Sequence, residues 1–385
     1  MTSGARVDGG PLGLVLGGGG ARGAYQAGVL RGLARRCPSL QIPIQVGVSA
    51  GAVNTIHLAA TTGTFTDAAE RLTSLWLGLS PENVFDIRTA PLLWNMFRWG
   101  SRLASGGMGT GGEPMRGMMD TSPLRQFLTN SLLPEPDGTL PGIARNIARG
   151  TLHAVALSAT SYTTGQSVSW VEGRDVTLWQ RPQRRSEFAR LTVEHVMASS
   201  ALPVLFPAVA VGPEWYGDGG VRLTAPLSPA LHLGAARILT ISTRYQRSQA
   251  EAGAAAIFGY PPPAQVLGVL YNSIFLDLID EDIARLKKVN QLLERLPHDG
   301  RIGMRVAEIM VIRPSRDLGR LASEFESRMP SFIKYVTRGL GTQRTSSPDF
   351  LSLILFQRDY IARLIEIGEA DADAQADALE AFVCA

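Results

Sequence analysis

The sequence predicts an α/β protein with a parallel sheet. Three observations carry this: two short apolar runs near the N-terminus, a helical stretch of the right length to join them, and further strand-length apolar runs spread across the first two-thirds of the chain. The composition agrees, since 385 residues at 45% hydrophobic and 18% charged can bury one large core or two smaller ones. Disordered and fibrous classes are excluded.

Leu12–Leu16 is the first apolar run; it ends in Gly17–Gly20, and Arg22–Arg35 reads as a helix through Tyr25, Val29, Leu30 and Leu33. Residues 42–48 form a second buried strand, followed at once by Ser49 and a helix of small residues, Ala50–Ala60. Strand, helix and strand make a βαβ unit, whose crossover is right-handed and whose strands run parallel. Further strands are expected at 152–159, 167–171, 209–211, 236–242 and 309–312. Beyond Pro261 long helices are expected over 271–296 and 351–382, with a polar loop at 339–347 between them. Residues 10–250 therefore read as the catalytic α/β body and 251–385 as a mostly helical extension packed on it, with 309–312 able to rejoin the sheet.

Charge and cysteine content narrow the partners. The 37 basic and 34 acidic residues give a net charge of +3, and only Lys287, Lys288 and Lys334 among the bases are lysine, so no basic stripe points to nucleic acid. Cys37 and Cys384 are too few for a disulfide scaffold or a cysteine metal site, and no metal or cofactor is expected. No stretch reaches 18 uninterrupted apolar residues, and the N-terminus lacks the basic start and apolar middle of a secretory signal; a cytoplasmic protein, peripheral at the membrane, is the expectation.

Gly18-Gly19-Gly20-Ala21-Arg22-Gly23 satisfies G-x-G-x-x-G between a strand and a helix, the context of a dinucleotide fingerprint. That fingerprint also needs an acid about 20 positions on to hold the ribose, and no Asp or Glu stands between Asp8 and Asp67. What remains is a loop free of side chains, opening a helix, with amides suited to an anion: a phosphate or a transient oxyanion. Opposite it, at the end of the second strand, stands Gly47-Val48-Ser49-Ala50-Gly51, a G-x-S-x-G in the strand-turn-helix context of a nucleophile elbow. In one βαβ unit the two strand ends are neighbours, so a nucleophile and oxyanion donors can face one volume.

The base is either a histidine or a carboxylate. None of the five histidines carries a motif; His57, His153 and His195 read as structural or exposed, while His232 keeps the Ser…Asp…His order of an esterase triad. Asp218, in Tyr216-Gly217-Asp218-Gly219-Gly220, is bracketed by three glycines that allow close approach to another group.

Together these blocks resemble the patatin-like phospholipase family. Gly18–Gly23 is similar to its G-G-G-x-R/K-G motif, Gly47–Gly51 to its G-x-S-x-G, Asp218-Gly219-Gly220 to its D-G-G/A, and Ala198–Pro203 with Phe206-Pro207 to its S-x-A-x-P-x-x-F-P stretch; Gly17 stands where many members carry Asp. The resemblance implies a three-layer α/β fold and a serine lipid acyl hydrolase of the phospholipase A, lysophospholipase or esterase type. It implies a Ser49–Asp218 dyad without histidine, an oxyanion hole of Gly18, Gly19 and Gly20 amides, and an Arg22 that supports the loop or a substrate phosphate. A triad esterase and a non-catalytic lipid-binding protein are the alternatives.

On a helical wheel Leu92, Leu93, Met96, Phe97, Gly100 and Leu103 share one arc, flanked by Trp94 and Trp99, with Asn95, Arg98 and Arg102 opposite. Residues 91–103 thus read as an amphipathic helix for a membrane interface or for the protein's own surface. The Gly- and Met-rich 105–119 reads as a lid hinge or a connection.

Overall fold

The computed structural model describes residues 10–86, 117–253, 259–275, 277–328 and 349–384. The amphipathic stretch 91–103 and most of 105–119 lie outside them, as does the loop expected at 339–347.

The chain opens with β1 (Leu12–Leu16), α1 (Gly23–Arg36), β2 (Ile44–Val48), α2 (Ala50–Ala60) and α3 (Phe65–Gly78). Both strands are buried throughout, which is why they read as continuous apolar runs rather than alternating ones. α4 (Ser122–Leu132) and α5 (Pro141–Arg149) lead into β3 (Ala154–Ser161) and β4 (Ser167–Gly173). After two short strands, β5 (Gln180–Arg181) and β6 (Arg184–Phe188), come α6 (Val193–Ser199), β7 (Val209–Val211), β8 (Glu214–Asp218) and β9 (Arg237–Ile241).

One ten-stranded sheet runs in the order β10-β9-β1-β2-β3-β4-β6-β5, with β8 pairing β3 and β7 off this path, and its edge strand β10 (Glu308–Ile312) comes from beyond residue 250. β10, β9, β1, β2 and β3 are mutually parallel. One core packs α1, α2 and α3 on one face, and a second core of Val15, Ile44, Val46, Ala156 and Ile238 meets Ile279, Ile283 and Leu286 on the other. Helices on both faces of a mostly parallel sheet make the expected three layers.

Two helix expectations are corrected. The stretch 271–296 is split between α7 (Pro263–Phe275) and α8 (Leu278–Leu293). Asp277 and Asp280 both pair with Arg244 Nη1 at 3.0 Å, and these acids sit at the start of α8, where a helix dipole favours them. The stretch 351–382 divides into α9 (Asp349–Ile354), α10 (Arg358–Ala374) and α11 (Ala376–Val383). The chain turns at Gln357, whose extended backbone caps α10, so that α9 docks on the glycine loop and α10 lies along α1. There the helices approach closely enough that a Cβ on Gly28 would sit 2.1 Å from the Ile365 carbonyl oxygen. At the far end of the pair, Cys37 Sγ and Cys384 Sγ lie 3.5 Å apart as free thiols.

Candidate active site

Strand register brings the two candidate groups together. β3 pairs with β2 along its first half, where Val48 faces Ser158, and with β8 along its last residues, where Asp218 faces Ala159. β8 therefore continues the lane that β2 vacates, and Ser49 and Asp218 meet at adjacent residues of β3. Both are buried, Ser49 at 3% exposure and Asp218 at 0%.

Ser49 sits at φ 56°, ψ −128° as the residue before α2, a conformation that non-glycine residues avoid. The turn needs its glycines for contact as well as freedom, since a Cβ on Gly51 would lie 2.0 Å from the Leu16 carbonyl oxygen. The Ser49 amide donates to Ser199 Oγ at 3.1 Å, and Ser199 Oγ donates to the Ser158 carbonyl at 2.6 Å, so a second serine fastens the elbow to β3.

Asp218 is held from three sides. Its amide donates to the Ala201 carbonyl at 2.9 Å, its carbonyl accepts from Thr160 Oγ1 at 2.8 Å, and its Oδ1 accepts from the Gly220 amide at 2.9 Å. Oδ2 has no hydrogen bond of good geometry among the described residues, although the Ser49 hydroxyl is close enough to favour the ionised form. Burial outweighs both the hydroxyl and the Gly220 amide and pushes the carboxyl up to about 7.

The glycine loop lies beside the serine: a Cβ on Gly18 would be 3.4 Å from Ser49 Oγ. Its carbonyls are turned into the protein. Gly17 O accepts from Gln26 Nε2 at 3.0 Å, Gly18 O from Thr243 Oγ1 at 2.8 Å and Gly19 O from the Arg22 amide at 3.0 Å. Because C=O and N–H point in opposite directions across a trans peptide, the amides of Gly18, Gly19 and Gly20 face away from those partners. None of the three finds an acceptor among the described residues. Gly19 and Gly20, at φ 152° and 55°, supply the backbone freedom this turn requires.

Arg22 points inward at 3% exposure. Its Nε donates to Ser352 Oγ at 2.7 Å and its Nη2 to Asp349 Oδ1 at 2.6 Å, so it ties the glycine loop to α9. Sequence reasoning missed these α9 partners, Ser199, and a buried network in which Asn54 bonds Gln26 Oε1 at 2.8 Å and accepts from Trp76 Nε1 at 2.7 Å. Ser199 stood inside a recognised motif; the others carried no signal.

An apolar cavity of about 40 Å³ opens from Gly20, Ser49 and Ala50 toward Trp76, Leu128 and Phe206. The histidines lie apart from it. His195 bonds Thr192 Oγ1 at 2.8 Å within the first turn of α6, and burial lowers it to about 4. His232 stacks on Trp179 at 4.6 Å. His57 is buried on α2, lowered to about 4 by burial and then by Arg71. Among the described residues no group of three His, Cys, Asp or Glu side chains could hold a metal ion, and no helix is long and apolar enough to cross a membrane.

The fold and this elbow define an α/β protein of the serine-elbow kind. The model of the patatin-like phospholipases matches residues 14–231, more than half the chain, and the chain belongs to that family. Solved structures similar to it include VipD from Legionella pneumophila, at 13% identity and TM-score 0.34 over 92% of this chain and 67% of that one. Human GIVD cytosolic phospholipase A2 is similar at 12% identity and TM-score 0.41, over 97% of this chain and 59% of the human one. No curated protein matches the chain.

Proposed function

We propose that this protein is a serine lipid acyl hydrolase that cleaves carboxylic esters through Ser49 and Asp218, with phospholipids or lysophospholipids as the substrate class. The observation that carries the reading is the pairing of Val48 and Asp218 with consecutive β3 residues, beside a loop whose three amides are unspent. Family membership supports a lipid ester as substrate.

In this mechanism Asp218 takes the hydroxyl proton as Ser49 Oγ attacks the ester carbonyl. The carbonyl electron pair moves to oxygen, and the amides of Gly18, Gly19 and Gly20 stabilise the oxyanion, each donor contributing about 2.7–4 kcal/mol to lowering the barrier. Collapse expels the alcohol, which leaves with the proton from Asp218. Water, deprotonated by the same carboxylate, then attacks the acyl-enzyme and releases the acid. A carboxyl near 7 is a far better base than an exposed aspartate, and a dry site keeps it so.

Hydrolysis of p-nitrophenyl esters and phospholipid vesicles by the wild type, Ser49→Ala, Asp218→Asn and His232→Ala tests this. Ser49→Ala and Asp218→Asn are expected to lose at least about 10³-fold in kcat, with His232→Ala close to wild type. Loss in His232→Ala would point to a triad, and a wild type inactive on every ester to a binding protein.

A further inference from the structure

The apolar cavity at Ser49 is lined in part by Leu75 and Phe127, and those two side chains also line a second space, an open cleft of about 920 Å³. The two spaces differ in chemistry. The cavity is walled by Val53, Leu79, Leu124 and Leu128, whereas the cleft mixes Glu70, Arg71 and Arg145 with apolar Leu132 and Leu133. His57 lines it too, 6% exposed, with neither ring nitrogen hydrogen-bonded among the described residues. Such a floor calls for water or another polar partner.

Size sets the next step. By the same measure one water needs roughly 10–15 Å³, so a cavity of about 40 Å³ holds about three or four non-hydrogen atoms, the length of a butyryl chain. Among the described residues Leu75 and Phe127 are the side chains that cavity and cleft share, and each methylene that leaves the apolar cavity for the open cleft forgoes up to roughly a fourfold gain in binding.

On the ester-hydrolase reading above, we propose that Leu75 and Phe127 form a partition that sets acyl chain length: chains that stop at it are preferred, and longer ones are accepted only by displacing it into the cleft. Leu75, on α3, is buried in the core, while Phe127, on α4, is half-buried at its edge, which makes its side chain the movable half. The two residues determine specificity; they take no part in bond making or breaking.

The test compares kcat/KM on p-nitrophenyl butyrate, octanoate and palmitate for the wild type, Phe127→Ala and the milder Phe127→Leu, with thermal unfolding of each. Phe127→Ala is expected to raise the palmitate-to-butyrate ratio at least tenfold while butyrate hydrolysis stays within a few-fold of wild type, and Phe127→Leu to fall between. An unchanged ratio in either folded variant, an equal loss at every chain length, or a wild type that already prefers palmitate overturns the partition. Should Phe127→Ala unfold, Phe127→Leu decides alone. A wild type inactive on all three esters, or a Ser49→Ala variant as active as wild type, removes the hydrolase reading and the partition with it.

Discussion

Asp218 is the residue on which pH acts. An acid raised to about 7 is protonated below that pH, and a protonated carboxyl cannot accept the Ser49 proton. The expected profile of kcat/KM on a neutral ester falls about tenfold per pH unit below 7 and flattens above it. Stability runs the other way. The folded carboxyl holds its proton where the unfolded one, near 3.8, has lost it, so this contribution is complete below pH 3.8 and is lost as pH rises through about 7. Asp218→Asn should therefore stabilise more at pH 8 than at pH 5, by an amount on the order of 2 kcal/mol measured in denaturant titrations. A stability gap independent of pH would show that Asp218 is not a costly buried anion. At this scale the candidate site was legible where the backbone made demands: a left-handed serine and a side-chain-free loop leave glycines in fixed places. Ser199, Gln26 and Asn54 were not legible, because a single buried polar side chain has no periodicity and its partners are chosen by tertiary packing.

At the scale of elements, the first βαβ unit and the helix Ala50–Ala60 were read more accurately than the short strands β5, β6 and β8, which were not foreseen, and the C-terminal helices. β1 and the strand at Val209–Val211 have the expected bounds, and residues 309–312 do rejoin the sheet. Buried parallel strands such as β1 are short, apolar and bounded by turns, so the sequence marks both ends, and Gly212 in the turn after Val209–Val211 marks the end of that antiparallel strand. The C-terminal helices were expected to be too long because nothing local breaks them. Their placement follows from docking: α9 opens at Asp349, which with Ser352 one turn on holds Arg22, and α10 starts where it can run along α1. A Cβ on Gly20 would lie 2.1 Å from the Leu353 carbonyl oxygen, so this helix is pressed on the glycine loop itself. Arg22→Met is predicted to destabilise the fold by about 2–4 kcal/mol, since it strands Asp349 beside an apolar side chain. It should lower kcat on esters more than it raises KM; a rise in KM confined to phospholipids would instead give Arg22 a headgroup role.

For the molecule as a whole, the C-terminal segment is woven into the α/β body: it supplies the sheet edge, the layer over α1 and the brace of the glycine loop. That brace makes the end of the chain part of the machinery at its beginning. The juxtaposed Cys37 and Cys384, 347 positions apart, follow from the same arrangement. Two-electron oxidation by a disulfide such as oxidised glutathione would join them, releasing two equivalents of reduced thiol and closing residues 37–384 into a covalent ring. Intact mass should drop by about 2 Da without dimerisation, and in the chain-entropy model so large a ring gains at most on the order of 5 kcal/mol against unfolding. Two thiols that remain titratable, or stable glutathione adducts, would show that the ends do not meet in solution. If they do meet, the redox state of the surroundings decides whether the stretch between the two cysteines is open or covalently closed.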